Sequence, residues 1–188
     1  MKTIYQNLNA NLNRNTQMLC LLRYASRVRR VSILGCGNGL SLLTAIAAKP
    51  DSICLYNQAP QETNQFSSIC AAQNIRFEFQ QCDYNQLKIA DTDLLYIDTF
   101  AEGQTKYTEL MKHHKNVSRY ILVTGTYDNA HDPDPNVRID ANIQTCGLIH
   151  GINNFINQAD SWHILEHLYY GPGVTVLYDR KGISDDGR

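Results

Sequence analysis

No apolar run in this chain is long enough to cross a membrane. Near its start the longest is Met18 to Leu22, far short of the ~20 residues a spanning helix needs and too short for the apolar centre of a secretory leader. The six cysteines, Cys20, Cys36, Cys54, Cys70, Cys82 and Cys146, include no C-x-x-C pair. Most of them fall in apolar strand or helix patterns, as expected of buried reduced thiols in a cytoplasmic protein rather than of a disulfide frame. An excess of one charge is missing too. The formal net charge of -1 argues against general nucleic-acid binding through a basic surface. With no internal repeat and no interdomain linker, the 188 residues read as one domain with a proper core. Hydrophobic content of 43% beside 19% charged residues describes a soluble globular chain, not a disordered one.

What is present centres on Val31 to Ser41, VSILGCGNGLS. Val31, Ile33 and Leu34 are the apolar, β-branched residues of a short buried strand. Gly35, Gly37 and Gly39 let the backbone turn tightly and bare its N–H groups, because no Cβ blocks the approach. From Ser41 the period changes, with Leu42, Leu43, Ile46 and Ala47 on one helical face. A strand, a glycine turn and a helix N-terminus aim N–H donors and a positive dipole end at whatever sits above the turn. A small polar or anionic cofactor fits there. A dinucleotide fingerprint would place a glycine at position 40, but that residue is Leu40, so an NAD-dependent oxidoreductase is disfavoured.

The rest of the chain alternates strand and helix. Residues 1–30, rich in Asn and Gln, read as an N-terminal helical segment leading into the first strand. Arg23, Arg27, Arg29 and Arg30 suit either a helix C-terminus or a phosphate-binding patch. Further strands are expected at Ser52–Tyr56, Ile75–Phe79, Asp93–Ile97 and Tyr120–Val123. Helices are expected from Pro60 to about Ala72, around Tyr107, Leu110 and Met111, and over Leu148, Ile149, Ile152, Phe155 and Ile156. Trp162–Tyr169 and Val174–Tyr178, joined by a Gly-Pro turn, form a hairpin. The pattern predicts an α/β fold: a Rossmann-like, doubly wound, mostly parallel seven-stranded sheet finished by a C-terminal antiparallel β-hairpin. The main domain then covers 31–181, and 182–188 form a tail.

Parallel sheets bind ligands at the carboxyl ends of their strands, beside the switch in strand order. Polar residues follow each strand there: Gly35 to Asn38, Asn57, Cys82-Asp83, Asp98-Thr99 and Thr124. From Thr124 to Thr145 no period is visible, and the stretch carries Asp128, His131, Asp132 and Asp134, so it reads as a functional lid. Candidate bases are Asp98, His131 and His150. His150 shares a helix with Ile149 and Ile152, a setting that suits a structural or exposed histidine. His113 and His114, between Lys112 and Lys115, read as a solvated helix end. Asp83 suits a helix N-cap.

The G-x-G-x-G turn, DLLYIDTF, YILV and GVTVLYDRK resemble the class I S-adenosylmethionine-dependent methyltransferases, over about Val31 to Lys181. The resemblance is to a bacterial and viral subgroup with an IDT-x-H-x-Y loop, a Glu-Leu pair and a strand ending in His-Asp. Asp98, Thr99, Glu109 and Leu110 fall on its positions. It implies S-adenosyl-L-methionine as cofactor, held by Gly35, Cys36, Gly37, Gly39, Asn57, Asp83 and Asp98, with Asp98 and His131 as catalytic candidates.

Three positions depart from that pattern. Asn57 stands where the family keeps a carboxylate for the ribose hydroxyls, and Ala101 and Gly103 stand for the subgroup's His and Tyr. Thr124-Gly125 stands for its His-Asp. Catechol-type relatives hold a divalent metal between carboxylates after the fourth and fifth strands, and the second of these is missing, so no metal is expected. The resulting expectation is a methyltransferase for a small-molecule acceptor, or else a catalytically inactive fold serving as a binding or assembly subunit. No membrane contact is expected; a homo-oligomer or a protein partner stays open.

Overall fold

The computed structural model describes residues 16–35, 39–60, 63–99, 103–126, 148–168 and 173–182. Its strands are β1 (Arg30–Leu34), β2 (Ser52–Asn57), β3 (Arg76–Gln81), β4 (Thr92–Ile97), β5 (Val117–Thr124), β6 (Trp162–Leu168) and β7 (Val174–Asp179). They pair in the order β3-β2-β1-β4-β5-β7-β6. Neighbours from β3 to β5 are parallel, and β7 runs antiparallel to both β5 and β6. The expected seven-stranded, mostly parallel sheet with its antiparallel finish is therefore present. The chain leaves β1 towards β2 and β3, then returns to add β4 on β1's other side. That reversal is the switch in strand order.

Period-two burial splits the core into two layers, one on each face of the sheet. Val31, Ile33, Leu94, Tyr96, Leu122, Val174 and Val176 face one layer. It is roofed by α1 (Thr16–Ala25), α2 (Leu40–Ala48) and α3 (Asn64–Ala72). Leu34, Leu95, Ile97, Ile121, Val123 and Leu177 face the other, under α4 (Gly103–His113) and α5 (Leu148–Gln158). In α5 the residues Leu148, Ile152 and Phe155 recur at the spacing of one helical face and are buried. Phe155 then meets Trp162 of β6, ring centres 6.2 Å apart. The N-terminal helix is part of this core, because Met18, Leu21 and Ala25 of α1 are buried in it.

At the amino edge of the sheet, Asp93 ties three strands. It accepts the Arg29 and Arg30 N–H groups at 3.1 and 2.9 Å, the Arg30 guanidinium at 2.7 Å and the Ser118 hydroxyl at 3.0 Å. Burial works against its charge, but the bonds from Arg30, Ser118 and Arg29 outweigh burial and hold the carboxyl below the usual range. Asp93→Ala is expected to lose about 2 kcal/mol in urea unfolding, since charge-assisted bonds are removed and backbone N–H groups lose their acceptor. The basic cluster is thereby largely accounted for: Arg30 pairs with Asp93, and Arg23 with Glu166 of β6.

Three sequence expectations need correction. His113 is not a solvated helix end: it is 1% exposed, its Nε2 has no hydrogen-bond partner, and burial, aided by the Lys112 charge, pushes its pKa down to about 4. The helix turns its 103, 106, 110 and 113 positions inward together, so helical period overrode local charge. His114 is half-buried, with Nδ1 near the carbonyls of Leu110 and Met111. Asp83 caps no helix. Its Oδ1 accepts the Asn85 N–H at 2.9 Å, closing a short turn after β3. The third helix begins at Asn64, four residues beyond Pro60. Cys36, Gly37, Ala101, His131 with the rest of the expected lid beyond Thr126, the Gly-Pro turn of the hairpin, residues 1–15 and the last six residues lie outside the described residues.

Candidate active site

The carboxyl ends of β1 and β4 flank the strand-order switch, and the backbone there is closely fitted. Gly35 has φ of 78°. Its N–H donates to Tyr56 O at 2.9 Å, while the Asp98 N–H donates to Leu34 O at 2.8 Å. A Cβ on Gly35 would lie 2.8 Å from Asp98 O, so only glycine lets the turn leave β1 beside β4. Gly39, φ 81°, precedes α2, and a Cβ on it would meet the Phe66 ring at 3.2 Å. The N-cap of this helix is Gly39, which brings no side chain to the helix's first N–H groups. The Ser41 hydroxyl in the same first turn is buried and has no hydrogen-bond partner. A buried hydroxyl with no partner among the described residues, in the first turn of that helix, fits a polar ligand at the glycine turn.

Asp98 is mostly buried at the end of β4. Burial raises its pKa; a 3.2 Å hydrogen bond from the Thr124 hydroxyl and the charge of Lys106 oppose that rise. Beside it, Lys106 of α4 is fully buried. Its ammonium donates to Glu109 Oε2 at 2.8 Å, Thr99 Oγ1 at 2.7 Å and Thr99 O at 3.1 Å. Burial pulls the Lys106 pKa down, against the attraction of Glu109 and Asp98. Two further hydroxyls, on Tyr96 and Thr126, are buried near these strand ends without partners, and burial beside Asp98 pushes the Tyr96 phenol well above its usual pKa.

The second neighbourhood lies at the ends of β2 and β3. Asn57 Oδ1 accepts the Tyr84 hydroxyl at 3.1 Å and Nδ2 donates to Ala59 O at 3.1 Å. Gln58, Gln81, Cys82 and Asp83 line an open hollow of about 500 Å³. The Cys82 N–H donates to Asn57 O at 3.0 Å, which ties the two strand ends together. Among the described residues no group of three or more His, Cys, Asp or Glu is placed to hold a metal ion, and no helix is long and apolar enough to cross a membrane.

The fold thus brings Gly35 and Asp98 together at the switch, with Gly39 at the start of α2 and Asn57 and Asp83 on the adjoining strand ends. His150 is exposed on α5. Sequence reasoning passed over Lys106. The available signal was its spacing: three residues before Glu109 and four before Leu110, on the apolar face of a helix.

No protein-family profile matches this chain, and no curated protein matches it in sequence. Solved structures do match in shape. A methyltransferase from Geobacter sulfurreducens is similar at TM-score 0.61 and 9% identity, covering 95% of this chain and 89% of the other. The O-methyltransferase from Bacillus cereus, solved in complex with SAH, is similar at TM-score 0.59 and 14% identity, covering 93% and 88%. The N-methyltransferase NodS from Bradyrhizobium japonicum WM9 is similar at TM-score 0.61 and 13% identity, covering 90% and 96%. At identities this low the likeness is one of architecture, and the architecture of this chain is the class I methyltransferase fold.

Proposed function

We propose that this chain binds S-adenosylmethionine at the Gly35 turn and transfers its methyl group to a small acceptor bearing a protonated nucleophile such as a hydroxyl. The observation that carries this is the junction of Gly35 with Asp98 at the strand-order switch, next to a helix whose first turn holds the buried Ser41 hydroxyl, without a partner among the described residues. Gly35, Cys36, Gly37 and Gly39 hold the methionine part, Asn57 takes the ribose side, and Asp83 with the hollow beside it takes the base. When bound, the cofactor supplies a methyl group made electrophilic by a sulfonium. The protein's share is alignment, exclusion of water and removal of one proton. Asp98 is the candidate base: burial raises its proton affinity towards that of a working base. His131 is a second candidate base from the adjoining segment.

Titration calorimetry with S-adenosylhomocysteine tests this reading. Saturable one-to-one binding is expected, and its absence at high ligand concentration sinks the proposal. Asn57 provides a graded check. As an amide it lacks a charged acceptor, and its oxygen is already shared with Tyr84. Asn57→Asp is expected to tighten S-adenosylhomocysteine about five-fold, because a charge-assisted bond adds about 1 kcal/mol over a neutral one. Binding without turnover on any hydroxyl or amine acceptor would favour a binding or assembly subunit. The occupied oxygen of Asn57 is the feature that supports that second reading.

A further inference from the structure

We propose that Lys106 is a positioning residue for Asp98: a buried ammonium that pins the turn after β4 and supplies the fixed positive potential against which the Asp98 carboxylate stands. Its catalytic meaning rests on the reading of Asp98 as a base, but the electrostatic assignment does not.

The geometry argues this in two steps. All three donors of Lys106 are used, two on Thr99 and one on Glu109, and the side chain has no exposed surface. No donor is left for a substrate, so Lys106 acts through its neighbours. Thr99 follows Asp98 directly and donates its own hydroxyl to both Glu109 oxygens at 2.9 Å. Lys106 and Glu109 together clamp that residue from the side of α4, while the Thr124 hydroxyl holds Asp98 from β5. The Asp98 carboxylate is thus held directly by Thr124, and the turn that carries it is fixed by Lys106 and Glu109 through Thr99.

Stability does not explain this lysine. A buried ion pair costs desolvation, and replacing both partners by apolar side chains of similar size is commonly neutral or stabilising. An apolar residue at position 106 would serve a purely structural helix face as well. The gain lies in charge. Among the described residues, the titratable groups facing Asp98 are Lys106 on α4, with Glu109 behind it, and the Tyr96 phenol on its own strand. Thr124 of β5 and Gly35 after β1 bring no charge. Lys106 is thus the one cation among these groups, and it opposes the neutralisation that burial would impose on Asp98.

The test follows the Asp98 carboxyl carbon by NMR as pH is varied, in wild type and in Lys106→Met. The midpoint of Asp98 is expected to rise by about 1 pH unit in the variant, the size of effect one nearby opposite charge exerts. Lys106→Met leaves the Glu109 carboxylate buried alone and can fail to fold, so Lys106→Met/Glu109→Leu, with no lone buried charge, is titrated as well. An upward shift is expected there too. A midpoint that stays with wild type in every folded variant overturns the assignment, because a merely structural brace would not move it. Calorimetry on the same wild-type sample separates this result from the functional reading. A shifted midpoint without S-adenosylhomocysteine binding supports Lys106 and removes the enzyme; binding with an unmoved midpoint does the reverse.

Discussion

Gly151→Ala is expected to destabilise the protein by about 3 kcal/mol, the result of one methyl group placed where two helices touch. A Cβ on Gly151 would lie 2.1 Å from the carbonyl oxygen of Gly103 and 2.9 Å from its carbon. Both are backbone atoms and cannot swing aside as a side chain would. Contact between carbon and oxygen needs more than about 3 Å, so α4 and α5 would have to part by about 1 Å. Alanine's better helix propensity offsets only about 1 kcal/mol of this. Asn153→Ala, on the exposed side of the same helix, isolates propensity from packing and is expected to be neutral or slightly stabilising. The measurement is the urea midpoint at constant slope. An unchanged midpoint in Gly151→Ala would mean the helices do not meet as described. Because α4 carries Lys106 and Glu109, the same variant is expected to weaken S-adenosylhomocysteine binding. Gly103 is the buried start of a helix packed on another helix's glycine.

The second large effect is on pH dependence. His113 is buried and neutral in the native state, with its pKa pushed down to about 4, whereas an exposed histidine titrates near 6.5. Between those two values the unfolded chain binds a proton that the native protein does not. Stability therefore rises with pH across this window, and is lost as pH falls from about 6.5 towards 4. The full loss from this one group is about 3 kcal/mol, because each pH unit that separates the native and unfolded titrations is worth about 1.4 kcal/mol. The check is a comparison of unfolding midpoints for wild type and His113→Leu from about pH 8 to about pH 4.5, a range that covers most of the window. Carboxylates contribute to both proteins, so the difference between the curves belongs to His113. The variant is expected to keep its stability further into acid. Parallel curves would show that His113 reaches solvent, or a partner, in the native state.

The two histidines beside the lysines show why local reading falls short. Lys112, His113, His114 and Lys115 look like a charged helix end because the eye weighs neighbours in sequence. What decides burial is the angle around the helix, and 113 shares its face with 103, 106 and 110. Lys106 was passed over for the same reason. Its charge says surface, its position says core, and only a partner at the right distance reconciles the two. Asp83 was legible as a turn-forming acid, but not whether a helix or a tight turn would receive its bond, because no residue in QCDYNQL differs in kind between the two outcomes.

By itself the sequence determined the sheet and which strand ends carry the candidate residues. Apolar alternation, the glycine turn after Val31–Leu34 and the closing hairpin are short-range patterns, and each is enforced by backbone geometry within a few residues. The tertiary structure alone decided which polar groups end up beside one another. Lys106 meets Thr99 and Glu109, Tyr84 occupies the oxygen of Asn57, and Gly151 rests on Gly103 because α4, α5 and the strand ends pack at fixed distances. Those pairings depend on the three-dimensional separation of side chains distant along the chain, or on the rotation of one helix, and no local period encodes either.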